Sequence, residues 1–341
     1  MAAADKPAIT FAAGARKVMA DEVANLFIKE IQDATCSIPE SDRPKLVAFL
    51  ANGDPAAQKY AQWTAKTFGR DGLNFEVRSV EPDDLDRALE EANGDKSVHG
   101  IMIYYPVFGT RLGVHGGSHD EFLRDNVSLT KDVEGLCHFY RRTMYINQRF
   151  VDVEQEKKCV LPCTPLAVVK LLEHLGAYDQ KIPVGNRMTN KVVTVVNRSE
   201  VVGRPLAAML ANDGALVYSI DIDSTYIFRR GKVETVSPEE TTQSIVEKSD
   251  ILVLAVPAAS YKMNPAWVKE GAIVINVASC KNIDADELLS TRPGVTFVPA
   301  VGKVTIAMLE RNLLRLYNNF KGASRLIWDS STGCVAPVPD N

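Results

Sequence analysis

Apolar positions along this chain change period several times, and each change marks out an element. From Arg16 to Ala34, Val18, Val23, Leu26, Phe27 and Ile31 recur close to helical spacing. Leu46–Leu50 is a short apolar run that reads as a strand. Asp54-Pro55 then opens a helix, with aspartate as N-cap and proline in the first turn. Phe75–Val80 predicts a strand, Asp83–Ala92 a helix ending near Asn93-Gly94, and His99–Val107 an apolar strand that stops at Pro106. A polar, irregular stretch from about Gly109 to Lys158 is too long for a plain connector and reads as a functional loop region. Leu161-Pro162-Cys163-Thr164-Pro165 opens a helix running to about His174.

The second half alternates more cleanly. Val192–Val196 is β-branched throughout and apolar but for Thr194, as expected of a strand covered on both faces. A helix follows over Val202–Asn212, then strands over Ala215–Ile220, Ile251–Val256 and Ala272–Val277, with a last one over Val295–Pro299. Gly302–Asn319 is a long amphipathic helix, the tail after Lys321 reads as loosely ordered, and Tyr226–Thr242 as a surface excursion. Strands alternating with helices imply α/β folding on mostly parallel sheet.

Composition narrows the class. With 341 residues, two domains are the natural expectation. A net charge of -4 supplies no basic field for nucleic acid or an acidic membrane, and no run reaches the roughly 18 apolar residues of a membrane span. Met1–Ala13 is alanine-rich but a poor match to an Arg-rich organelle address. Six scattered cysteines with no CxxC pair read as reduced cytosolic thiols. His115 and His119 flank Gly116-Gly117-Ser118 and resemble a metal pair only superficially; the glycines argue for a turn, and no metal is expected.

Val192–Asp221 has the length of a mononucleotide-binding βαβ unit. Its first turn, Asn197-Arg198-Ser199-Glu200-Val201-Val202-Gly203-Arg204-Pro205, is not GxGxxG; only Gly203 remains where backbone meets helix. A pyrophosphate can still be held there by free N–H groups and the helix dipole; the other reading is an ordinary buried βαβ unit. Asp221 stands 18 residues after Gly203, where an acidic side chain accepts from ribose hydroxyls and repels a 2′-phosphate, so NAD is expected over NADP. Alternatively Asp221 only ends its strand. Strand ends at Ala255-Val256-Pro257 and Asn276-Val277-Ala278-Ser279 fall where ligands bind in open α/β sheets.

At this point the chain resembles the methylenetetrahydrofolate dehydrogenase/cyclohydrolase proteins from about Ala48 to Leu316. The blocks that carry the resemblance are Tyr60, Gly100–Pro106, Lys131-Asp132-Val133-Glu134-Gly135, Pro162-Cys163-Thr164-Pro165, Arg198-Ser199…Val202-Gly203…Pro205 and Gly302…Thr305-Ile306-Ala307-Met308-Leu309. It implies an N-terminal α/β folate domain (1–161), a Rossmann-like dinucleotide domain (162–302) and a C-terminal helix (303–330) that returns to the first, with the folate in a cleft between them. It also implies a homodimer in cytoplasmic one-carbon metabolism and purine biosynthesis.

Two departures matter. Bifunctional members carry lysine four residues after the tyrosine matching Tyr60, and glutamine in the strand before the proline; here those positions are Thr64 and Tyr104. Lys66 is near Thr64 in sequence but turned roughly 200° around the helix from it. Such polar groups activate water for the hydrolytic step, so cyclohydrolase activity is expected to be lost. The pattern resembles the monofunctional, NAD-dependent fungal-type dehydrogenases. Arg198 occurs in NADP-using relatives too, but the acidic pair Asp221 and Asp223 outweighs it.

The resemblance implies Asp132 and Glu134 as carboxylates near a forming cation, with Glu134 one methylene longer than the usual aspartate. Tyr60, Thr64, Tyr104, Pro106, Asp132 and Pro299 are assigned to substrate. Asn197, Arg198, Ser199, Val202, Gly203, Asp221, Ile222, Ala255, Val256, Pro257, Val277, Ala278 and Thr305 are assigned to cofactor. Cys163, before a helix N-terminus where thiol pKa values fall, joins the catalytic set as an alkylation-sensitive group rather than a nucleophile. Open alternatives are a bifunctional NADP enzyme, a non-catalytic nucleotide-sensing module, and a dehydrogenase for another small substrate with His138 as base.

Overall fold

The computed structural model describes residues 10–109, 111–113, 116–321, 326–329 and 332–337. Most of the alanine-rich start and His115 therefore lie outside the described residues. In chain order the elements are β1 (Arg16–Lys17), α1 (Ala20–Cys36), β2 (Lys45–Leu50), α2 (Pro55–Arg70), β3 (Asn74–Ser79), α3 (Leu85–Gly94), β4 (Gly100–Ile103), α4 (His119–Asn126), α5 (His138–Tyr145) and α6 (Cys163–His174). There follow β5 (Val192–Val196), α7 (Gly203–Asn212), β6 (Leu216–Ile220), β7 (Thr225–Arg229), β8 (Lys232–Thr235), α8 (Thr242–Glu247), β9 (Ile251–Leu254) and β10 (Ile273–Asn276). The last are α9 (Ala285–Thr291), β11 (Thr296–Val298), α10 (Gly302–Phe320), β12 (Leu326–Asp329) and β13 (Cys334–Pro337). Two compact units result: Ala24–Leu166 with the described residues from Thr305 on, and the described residues up to Val23 with Ala167–Val304.

The first unit is built on a parallel three-stranded sheet, order β3-β2-β4. Leu46, Val47, Ala48 and Phe49 of β2 are fully buried, so the strand is apolar on both faces rather than alternating. Asp54 caps α2 by accepting from the Ala56 N–H at 2.9 Å. A Cβ on Gly100 would stand 2.6 Å from Val133 Cγ1 and 2.7 Å from Leu313 Cδ1, which shows how closely the acidic loop and α10 approach β4. The C-terminal helix thus does pack with the three-stranded unit, as the resemblance implies.

The stretch read as irregular from Gly109 to Lys158 contains α4 and α5. Each is only eight residues long, too short for a periodic signal, and side chains fix the ends of α4. Ser118 accepts from the Glu121 N–H, and the Asp120 carboxylate accepts from the backbone N–H groups of Val107, Phe108 and Gly109. The tail after Lys321 also holds more structure than expected, since β12 and β13 pair antiparallel.

On α10, Glu310 is fully buried and neither carboxylate oxygen has a hydrogen bond among the described residues. Burial, then the charge of Asp71, pushes its pKa up to about 9, with Arg70 opposing. Asp71 itself accepts from Gln32 and Arg70. A carboxyl with a raised folded pKa stays protonated in the native state while the unfolded state ionises, so stability falls as pH rises from about 4.5 to about 9. Glu310→Gln is expected to flatten that slope and raise the melting temperature at the alkaline end; melts across the range check this, and an unchanged slope would refute it.

The second unit holds an eight-stranded sheet, order β1-β11-β10-β9-β5-β6-β7-β8. Strands from β1 to β6 run parallel, and β7 and β8 add antiparallel. The order reverses between β5 and β9, which places a topological switch point at their carboxyl ends. Two expectations change here. Arg16 and Lys17, read as helix at the start of the first domain, pair with Thr296 and Phe297 at the sheet edge, and the chain enters the three-stranded unit only within α1. The surface excursion is largely the β7–β8 hairpin.

Candidate active site and dinucleotide site

In the three-stranded unit, α2, the end of β4 and the acidic loop bring most of the predicted substrate residues together. Tyr60 and Thr64 are one helical turn apart on α2, and the Thr64 hydroxyl donates back to the Tyr60 carbonyl at 2.9 Å. The Tyr60 and Tyr104 rings meet edge to face, centroids 6.2 Å apart. Asn52 donates to the carbonyls of Tyr104 and Pro106, holding the strand end across the cis Tyr105–Pro106 bond. Thr64 is fully buried, so nothing at its position can present an ammonium without repacking.

Lys131 begins the acidic loop, and its role is structural. Its ammonium donates to the carbonyls of Ala92, Asn93 and Asp95, closing the carboxyl end of α3. Asp132 is buried and accepts from the Glu134 N–H at 3.1 Å and the Cys137 N–H at 2.7 Å. Its carboxylate therefore shapes the turn that presents Glu134. Glu134, half-buried, is pushed up to about 8 by desolvation and then by Asp132, with Arg124 and a hydrogen bond from the Ile103 N–H opposing. Burial raises the Tyr60 hydroxyl well above its ordinary value, and Cys163, Tyr104 and Glu134 add to that. Desolvation lifts Tyr104 and Tyr105 likewise, with Thr64 opposing at Tyr104, and among the described residues neither buried hydroxyl has a close hydrogen-bond partner. Buried, unpartnered hydroxyls beside a carboxyl suit a polar, ring-bearing ligand.

Cys163 does not behave as expected. It is the first residue of α6 and buried; its thiol donates to the Val133 carbonyl at 3.3 Å and accepts from Asn312 at 3.4 Å. Desolvation pushes its pKa well up, with Glu134 contributing, so burial outweighs the helix dipole and the thiol is not an exposed alkylation target. Asn312 of α10, absent from the sequence reading, also donates to the carbonyls of Val133 and Leu161 at 2.9 Å each. The one available signal was a polar residue among Leu309, Leu313 and Leu316 on the apolar face of α10. His138 is exposed at the start of α5, and His119 contacts Asp86 at 3.0 Å. Among the described residues no group of three or more His, Cys, Asp or Glu could hold a metal ion.

The cofactor candidates gather at the switch point of the other unit. Asn197, in the left-handed region at φ 84°, donates its backbone N–H to Ile220 and its side-chain amide to Ala255, bridging the ends of β5, β6 and β9. Ser199 follows: its hydroxyl accepts from the N–H groups of Val202 and Gly203 at 3.3 and 3.4 Å, and its carbonyl from Arg204. Fewer N–H groups are therefore free at the start of α7 than expected. Gly203 lies against the turn so tightly that a Cβ would stand 1.8 Å from the Asn197 carbonyl oxygen. Asp221 is half-exposed at the end of β6, and Ile222 beside it is 94% exposed, an apolar face open to a ring.

Asn282 was missed, and Asn276 was expected only for its backbone. Asn282 accepts from and donates to the backbone of Val256 at 2.9 and 3.0 Å, and Asn276 donates to the carbonyls of Ala278 and Cys280. They hold the strand ends assigned to the cofactor. Pro299 belongs to this unit and Thr305 to the three-stranded one.

A parallel sheet with a switch point, an acidic strand end and a helix start packed by glycine defines a Rossmann-type dinucleotide-binding protein; the acid–tyrosine cluster lies on a second α/β unit. Residues 16–134 match the model for Tetrahydrofolate dehydrogenase/cyclohydrolase, catalytic domain, and residues 162–321 that for Tetrahydrofolate dehydrogenase/cyclohydrolase, NAD(P)-binding domain. The chain belongs to the tetrahydrofolate dehydrogenase/cyclohydrolase family. It is 48% identical over 308 residues to a "Methylenetetrahydrofolate dehydrogenase [NAD(+)]" of Dictyostelium discoideum, covering 89% of this chain and 94% of that protein. A protein of the same name from Schizosaccharomyces pombe is 48% identical over 305 residues, 88% of this chain and 92% of its own length. Among solved structures, the NAD-dependent 5,10-methylenetetrahydrofolate dehydrogenase of Saccharomyces cerevisiae matches with a TM-score of 0.83 and 42% identity, covering 92% of this chain and 100% of that one.

Proposed function

We infer that this chain is an NAD-dependent methylenetetrahydrofolate dehydrogenase, which oxidises 5,10-methylenetetrahydrofolate to the methenyl form by hydride transfer. The observation that carries the reading is its similarity, over nearly their full lengths, to proteins named for that reaction. The tyrosine–glutamate cluster and the acidic end of β6 suit it. NAD, when bound, supplies the hydride acceptor. Asn197, Ser199, Val202 and Gly203 would cradle it at the switch point, Asp221 would accept from its ribose, and Ile222, Ala255, Val256, Pro257, Val277 and Ala278 would line it. No proton has to be abstracted from the folate, so the protein needs no general base; its task is to orient the donor carbon and steady the charge left behind. Glu134, once ionised, is the carboxylate suited to that charge. Asp132 sets Glu134 in place, and Tyr60 and Tyr104 offer ring faces and edges to the pterin.

Loss of the hydrolytic step belongs to the same reading. Thr64 is buried with its hydroxyl turned to its own helix, and Tyr104 stands where an amide would be needed. With methylenetetrahydrofolate, NAD is expected to be reduced in preference to NADP and the methenyl product to persist. Thr64→Lys with Tyr104→Gln is expected to raise methenyl hydrolysis above background. Absorbance at the methenyl band reads both; rapid hydrolysis by the unaltered protein would sink the monofunctional reading.

A cytoplasmic homodimer contributing to purine biosynthesis completes the proposal. Six free cysteines suit a reducing compartment. No helix among the described residues is long and apolar enough to cross a membrane.

A further inference from the structure

The hairpin within the predicted surface excursion does not stand apart from the nucleotide unit. Its first strand pairs with β6 in the register Ser219↔Tyr226 and Ile220↔Thr225. That register lays the Tyr226 ring over the Arg198 guanidinium, 4.2 Å from carbon to ring centroid. Arg198 Nε donates to the Ser219 hydroxyl at 3.0 Å, Nη1 to the Ser224 hydroxyl at 3.0 Å, and Nη2 to the carbonyls of Ser219 and Ser224 at 2.8 and 2.9 Å. All three guanidinium nitrogens are engaged, one face is covered by an aromatic ring, and the residue is 7% exposed.

The location gives this meaning. Arg198 opens the turn after β5, and its partners flank Asp221, whose backbone N–H donates to the Ser224 carbonyl at 2.8 Å. An arginine beside the adenosine ribose is the group that would take a 2′-phosphate, through two parallel N–H bonds. Here that fork is filled by the protein's own serines. Opening it would cost several charge-assisted bonds and the ring contact before a phosphate could be gripped.

We propose that the β7–β8 hairpin is a cofactor-specificity device: Ser224 and Tyr226 lock Arg198 away from a ribose 2′-phosphate, so that preference for NAD comes from a withheld arginine as well as from the charge of Asp221. The inference builds on the placement of the ribose at Asp221 proposed above. It makes Ser224 and Tyr226 positioning residues for specificity, and gives a role to chain that the dehydrogenase reading leaves unused.

The test uses the whole enzyme, with adenosine 2′,5′-bisphosphate as the calorimetric probe, 5′-AMP as its unphosphorylated reference, and kcat/KM for NAD and NADP alongside. Asp221→Ser alone is expected to improve the bisphosphate-to-AMP affinity ratio by no more than about fivefold, the scale of one solvent-screened charge. Adding Ser224→Ala and Tyr226→Leu is expected to improve it by a further factor above about ten, as a freed bidentate arginine would. Arg198→Met in that background should abolish the further gain, and Tyr226→Phe, which keeps the ring, should not produce it. Should the combined variant not fold, Tyr226→Leu with Asp221→Ser carries the comparison. A full gain from Asp221→Ser alone, no further gain on unlocking, or a gain that survives Arg198→Met overturns the lock while leaving the dehydrogenase reading intact. An unmoved KM for NAD in Asp221→Ser overturns the ribose placement and the lock together.

Discussion

Alanine at position 203 is expected to cost the second unit more than about 3 kcal/mol and to abolish NAD-dependent activity, because the new methyl has nowhere to go. Its carbon would stand 1.8 Å from the Asn197 carbonyl oxygen, 2.8 Å from the Asn197 carbonyl carbon and 3.0 Å from the Arg198 Cα, all backbone atoms. The turn cannot retreat: Asn197 is pinned to Ile220 by its N–H and to Ala255 by its side chain, both at 2.8 Å. Relief would have to come from opening the junction between β5 and α7, where the dinucleotide is proposed to lie. Denaturant unfolding together with NAD titration reads the effect; a variant with an unchanged midpoint and unchanged NAD affinity would show that the close approach is not rigid.

The second large effect falls on Glu134. Glu134→Gln is expected to lower kcat by about a hundredfold or more, the scale on which a preorganised charge acts on a forming cation. A pH signature should accompany it. The Glu134 carboxyl is held up to about 8, so kcat/KM is expected to climb with pH as the free enzyme loses that proton and to level off above it. The glutamine variant should lack the climb. Stability runs the other way. The native state keeps a proton that the unfolded chain gives up near 4.5, so this residue's contribution declines as pH rises from there through about 8. An identical rate profile in the glutamine variant would remove Glu134 from the chemistry.

The dinucleotide half was legible because its signals are long and regular. β5, α7 and β6 fall within a residue or so of where periodicity puts them, since a parallel strand buried on both faces has to be apolar throughout. The start of α2 was legible for a local reason, Asp54 and Pro55 being a cap and first turn written in adjacent letters. α4 and α5 were not: eight residues give two turns, and what stabilises α4 is Asp120 reaching back to the backbone at Val107–Gly109, a tertiary bond. The edge pairing of β1 with β11 is likewise a property of partners distant in the chain.

The candidate site divides in the same way. Tyr60, Tyr104 and Glu134 could be named from motif order, but what each side chain does depends on burial. Cys163 illustrates this: a helix start suggests a lowered thiol pKa, whereas burial beside Asn312 and the Val133 carbonyl pushes it up. Arg198 is the parallel case in the other unit, a cation suited to phosphate whose donors are already occupied.

Because the ammonium of Lys131 closes α3 while the carboxylate of Asp132 gathers the N–H groups of Glu134 and Cys137, the acidic loop works as a bracket with little compliance. Whatever docks against Glu134 meets a fixed wall on that side. Accommodation of differently shaped folates, or of polyglutamylated against simple forms, would then have to come from rotation of the opposing phenols, and a protein of this design would tolerate variation in its ligand's orientation better through its aromatic side than through its acid.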